Sequence, residues 1–210
     1  MPMRRDDPPV RIRPVRRLLL GFALMACVIA CASDDPVERP QDGLLADAPD
    51  WVLVDCTRYW NGRPGARLCG VGSVAGTRNL SLARTAAIGR ARSQISEKLE
   101  PMVEGMLRDY STVAAAADDD GATPLNAQQI ANVTTQITQY TSLNGATLKD
   151  TWVAPDGTLY TLVDLDVEHF ETALDQMSSL TDAIRTGVRE RASAAFRAAN
   201  EATTSAQSAQ

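Results

Sequence analysis

The chain has 210 residues, 44% hydrophobic and only 5% aromatic, with a formal net charge of -5. That length fits one domain with extensions, and its core must rest on Ala, Leu, Val and Ile. Residues 1–30 carry six arginines against two aspartates, so residues 31–210 hold 15 basic and 24 acidic side chains, net -9. Such a surface repels nucleic acid and gains nothing from the charge of an anionic bilayer.

The first 30 residues read as a signal peptide. Arg16 and Arg17 lead into an apolar run of 13 residues, Leu18 to Ala30, before Cys31. The run is too short to span a bilayer as a helix, which needs about 20 apolar residues. Its end resembles the bacterial lipobox, in which the cysteine takes a diacylglyceryl group and becomes the first residue after cleavage. Leu24-Met25-Ala26-Cys27 and Val28-Ile29-Ala30-Cys31 both fit. Cys31 is favoured because the polar linker begins behind it; Cys27 is the alternative. Neither is followed by aspartate, and by resemblance to the sorting rule of enteric bacteria this implies the outer membrane. Arg16-Arg17 lacks the flanking elements of a twin-arginine signal and reads as ordinary basic charge. Residues 31–48, with Asp, Pro, Gln and Gly, read as a flexible tether.

The domain is expected over 49–198. Trp51–Val54 has strand character. Cys56 and Cys69 flank a segment with turn signals at Asn61-Gly62 and Pro64-Gly65. Export places the chain in an oxidising compartment. With Cys27 and Cys31 assigned to the signal, Cys56 and Cys69 are the two remaining thiols, and a disulfide between them is expected. Free thiols or a metal pair are the alternatives, and a lone His169 argues against zinc. Leu68–Ala75 reads as a strand. Its Gly70, Gly72 and Ala75 match G-x-G-x-x-A, a weak dinucleotide pattern with no strand-helix-strand repeat behind it.

From Asn79 the apolar spacing turns helical, through Leu80, Leu82, Ala83, Ala87, Ile88, Ala91, Ile95, Leu99, Met102 and Met106, with Pro101 expected to kink or divide the helix. Asp118–Gly121 is a solvated loop rather than a calcium loop. Thr123-Pro124 is a fair helix start, and Leu125, Ile130, Val133, Ile137 and Tyr140 continue on one face. Two strand-like runs, Thr147–Val153 and Thr158–Leu165, around Pro155-Asp156-Gly157 predict a hairpin. Asp166 caps a last helix with an apolar stripe through Phe170, Leu174, Met177, Ile184, Val188 and Phe196, and 199–210 should fray. The order predicts an α+β fold: a small, mainly antiparallel sheet of three to four strands packed on one face by two to three helices.

Pro49–Val52, Gly70–Ser73 before a helix with Ala83-Arg84 and Ala91-Arg92, and the Thr151–Val163 hairpin come in this order behind a lipobox. Together they resemble the twenty-kilodalton surface lipoprotein (LPP) family of Gram-negative bacteria, over roughly residues 49–170. The resemblance implies an envelope lipoprotein with a link to flagella and carries no catalytic residues. The Cys56–Cys69 segment and the long C-terminal helix depart from that pattern.

No catalytic constellation stands out. His169 is alone, and no H-E-x-x-H, phosphate loop or nucleophile elbow occurs. The chain is expected to be no enzyme and to hold no cofactor and no metal. Trp60 among Arg58, Arg63 and Arg67 is the candidate partner-binding patch, since aromatics and Arg concentrate at interface centres. Trp152 and Tyr160 are expected on facing strands. The expected role is a membrane-anchored assembly lipoprotein, held through its acyl group, that forms a homo-oligomer or docks envelope proteins. The alternative is a periplasmic binding module for a small ligand or cell-wall polymer.

Overall fold

The computed structural model describes residues 43–60, 67–76, 78–117 and 123–207, with side chains through 202. Cys27, Cys31, Arg63 and the Asp118–Gly121 loop lie outside the described residues. The architecture is α+β, as the patterning predicts. Three strands, β1 (Arg67–Val74), β2 (Thr147–Val153) and β3 (Leu159–Asp166), form an antiparallel sheet in the order β1-β3-β2.

Trp51–Val54 is not a strand. Asp50–Leu53 forms one helical turn, α1, because the Pro49 carbonyl accepts from Val52 N at 2.9 Å and the Asp50 carbonyl from Val54 N at 3.0 Å. A carboxylate in the first turn suits a helix start. A 3-10 turn over Cys56–Trp60 follows. Packed chain begins slightly before 49, since Ala48 is fully buried.

The helix α2 (Leu80–Ala116) is capped by Asn79, whose side chain accepts from Leu82 N at 3.1 Å. Pro101 does not divide it. An interior proline costs a helix roughly 3 kcal/mol, but Leu99 and Val103 on either side are fully buried. That burial holds both halves to one core, and Pro101 itself lies on the exposed face. The helix α3 (Ala127–Asn144) starts three residues beyond Pro124. Asn126 and Gln129 form a reciprocal capping box, with bonds of 3.0 and 2.9 Å, a stronger start signal than proline alone. Gly157, at φ +83°, closes the hairpin turn with an Ala154 N to Thr158 O bond of 2.8 Å.

The predicted last helix is two. Asp166 caps α4 (Val167–Asp175), and a break at Gln176–Thr181 precedes α5 (Asp182–Gln207). The apolar stripe spans the break because Met177 and Leu180 are themselves buried between Leu174 and Ile184; side-chain spacing did not reveal the turn. The α5 backbone stays helical to Gln207, where composition predicts fraying.

Strand alternation sorts the core into two layers. Leu68, Val163 and Leu165 join α2, α4 and α5 in the main core, with Phe170 and Phe196 at a ring separation of 5.3 Å. Cys69, Leu162, Val71 and Tyr160 point the other way, toward Trp51 and Trp60. Gly70 and Gly72 let α2 lie directly on β1. A Cβ built on Gly70 would come 2.3 Å from Ala91 O, and one on Gly72 would come 1.9 Å from Ala87 O. These glycines therefore sit inside a strand against a helix backbone, not in a strand-to-helix turn around a pyrophosphate.

Candidate functional site

The sheet face opposite the long helices is organised by Cys56 and Cys69, joined as a disulfide with Cα atoms 5.9 Å apart. The bond ties the 3-10 turn to β1. Trp51 is buried beside it and donates from Nε1 to Asp150 Oδ2 at 3.2 Å. Asp55 Oδ1 accepts from Thr57 N at 2.8 Å and starts the 3-10 turn. The Asp55 carboxylate and the two sulfurs converge within 4.8 Å. Metals are held by thiolates, so with both sulfurs in the disulfide this trio is not a ligand set.

Two of the predicted partner-binding residues meet each other. The Arg67 guanidinium lies 4.7 Å over the Trp60 ring, and its Nη1 reaches Asp164 Oδ2 at 3.5 Å. Asp164 is 1% exposed and also takes Lys149 Nζ at 3.2 Å and Thr147 Oγ1 at 2.9 Å. A carboxylate buried on the central strand thus gathers a cation from each neighbouring strand, as a buried charge requires. Trp60 is half-buried, and Arg58 is half-buried and engaged. Trp152 and Tyr160 pair across the strands at 5.4 Å. The predicted basic patch is half-buried in its described part, with Arg67 paired to the Asp164 that it shares with Lys149.

His169 is equally engaged. Its backbone N–H and Nδ1 both meet Asp166 Oδ1, at 2.8 and 2.7 Å. Burial works to raise the Asp166 carboxyl, but the His169 hydrogen bonds and the charges of His169 and Lys149 outweigh it and hold its pKa below the usual 3.8.

Both sheet edges are guarded. On the free side of β1, Arg90 donates to Ser73 O, Gln94 Oε1 accepts from Val71 N at 2.9 Å and Lys98 donates to Cys69 O at 2.8 Å. Four residues of helix rise about 6.0 Å and two residues of strand about 6.7 Å, so these α2 side chains keep register along the edge. On β2, a register shift between Leu148 and Asp150 interrupts the ladder, and Asp150 Oδ1 takes Thr151 N at 2.7 Å. Such devices discourage strand addition.

An open groove of about 470 Å³ runs along the N-terminal half of α2, where α3 ends. Thr85, Ile88, Gly89, Arg92, Ser93 and Ser96 of α2 line it together with Ser142 and Leu143 of α3. No family model, no curated protein and no solved structure matches the chain. The groove was missed in the sequence, where α2 reads as one apolar stripe. A second signal was present: Gly121–Leu148 contains no charged residue, in a chain where 22% are charged. Leu143 is 58% exposed and Leu82, one turn before Thr85, is 60% exposed.

Proposed function

We propose that this chain is a lipid-anchored outer-membrane lipoprotein with a structural or assembly role, in which a tethered α+β domain self-associates or docks envelope components. The observation that carries the reading is the Cys56–Cys69 disulfide. A disulfide persists in oxidising compartments outside the cytoplasm, in agreement with the lipobox at Cys31 or Cys27. Its position matters as well: it fastens the segment next to the tether onto the sheet, so a pull on the anchor reaches the core through a covalent link. The absence of charge attraction to lipid makes an acyl anchor the natural attachment, and stable anchoring takes two or more chains. The resemblance to the twenty-kilodalton surface lipoprotein family points the same way and adds flagella as the machine to test first.

The experiment is affinity capture of the full-length chain from cross-linked cells, with a Cys27→Ser/Cys31→Ser form as control and mass analysis of the mature N-terminal peptide. The expected result is an acylated Cys31, with envelope proteins recovered only with the anchored form and further copies recovered with either form. An unmodified N-terminus would overturn the anchor, and recovery of bait alone would overturn the assembly role. A second reading, a binding module for a small ligand or cell-wall polymer, draws on the half-buried Trp60, Trp152 and Tyr160. It predicts saturable quenching of tryptophan fluorescence by peptidoglycan fragments.

A further inference from the structure

We infer that the α2 groove, with the outer face of α3, is where a second copy of this chain docks. This rests on the assembly reading above and names its partner, but it needs no acyl group and is tested separately. The α2 side of the groove carries a small residue at each helical turn, Thr85, Gly89, Ser93 and Ser96, beside Ile88 and Arg92. A Cβ built on Gly89 meets nothing within 4 Å. Small side chains allow a second helix to approach to the 8–10 Å of close helix packing, give or take about 1 Å. Leu82 and Leu143, both more than half exposed, offer apolar contacts on its flanks.

Charge selects the occupant. Beyond the signal segment the chain is net -9, so two copies repel wherever their ordinary surfaces meet. In a two-fold pair the same patch faces itself, and like charges set opposite each other are penalised. A self-contact patch is therefore best without charge, and α3, all 18 residues of it, has none. Its exposed Gln128, Asn132 and Gln139 are donors and acceptors at once, so identical side chains can pair across an axis. The one cation in the groove, Arg92, is turned back: its Nη2 donates to Ala146 O at 3.3 Å. Among the described residues both sheet edges are guarded, which favours this helical face over strand addition for close self-association.

The test uses the full chain in detergent, in a Cys27→Ser/Cys31→Ser background so that an introduced cysteine is the only free thiol. Ser93→Cys should cross-link to dimer through a short bis-maleimide, each thiol adding across one maleimide double bond to give a thioether, at least about tenfold above Arg197→Cys on α5. Gly89→Trp, whose Cβ has open space around it and whose ring occupies the groove, should abolish the dimer in sedimentation while the variant still melts cooperatively. Ser93→Glu should weaken it, with recovery at high salt. A chain that sediments as a monomer, or a dimer indifferent to Gly89→Trp, overturns the inference. So does cross-linking of Ser93→Cys in cells to a different protein without any dimer. None of these outcomes bears on acylation of Cys31, which the mass measurement decides alone.

Discussion

Adding one methyl group at Gly72 and the same methyl group at Gly89 should move stability in opposite directions. At Gly72 the new Cβ would sit 1.9 Å from Ala87 O, 2.7 Å from Ala91 N and 2.9 Å from Ala87 C. All three are backbone atoms of α2, so no side-chain rotation relieves the contact; the helix must retreat by about 1 Å, which a close-packed core resists. Overpacking of this kind costs about 1–3 kcal/mol. The retreat also stretches the Arg90, Gln94 and Lys98 bonds to the β1 edge, worth about 0.5–1.5 kcal/mol each. We therefore expect Gly72→Ala to lose about 3–5 kcal/mol, or roughly 10 °C of melting temperature for a domain of this size. Gly89, mid-helix with open space around its Cβ, should gain up to about 1 kcal/mol as Ala. Urea unfolding of the two variants beside the parent reads both values. A Gly72→Ala variant within about 0.5 kcal/mol of the parent would refute the claim that β1 and α2 meet backbone to backbone.

Three other outcomes are expected. Replacing Cys56 and Cys69 by Ser should cost about 3 kcal/mol and expose residues 43–60 to protease ahead of the sheet; unchanged proteolysis would mean that Trp51 burial alone holds the segment. Asp164→Ala leaves Arg67 and Lys149 without their shared anion. Both are about 30% exposed and regain water, so the loss should fall near 2–3 kcal/mol, below the full cost of breaking a buried pair; a double-mutant cycle with Arg67→Met checks it by showing coupling. The depressed pKa of Asp166 means that its cap contributes stability fully above the unfolded value of 3.8, and that this stability is lost as pH falls through the lower folded value. Asp166→Asn should flatten that acid limb in a pH series of unfolding midpoints. An unchanged limb would assign acid sensitivity to other carboxylates, among them Asp156, whose pKa is lowered chiefly by the Thr158 backbone N–H and then by its hydroxyl.

Local rules made much of this fold legible before any coordinates. The Asn79 start, the Pro155–Gly157 turn, the strand-like run Thr158–Leu165 and the pairing of Cys56 with Cys69 depend on near neighbours, and they stand in the structure. What sequence alone could not decide involves surfaces brought together from afar. Trp51 prefers a strand by composition, yet burial against the disulfide and Leu162 sets it on a helical turn. Pro101 favours a break, yet the core on both sides keeps α2 whole. Arg67 reads as part of a basic patch around Trp60 until Asp164, 97 residues further on, is placed beside it. The groove has the same origin: small residues every turn of α2 are unremarkable on one helix. They become a surface only where α3 stops short, which is settled by how far one helix overlaps another in space.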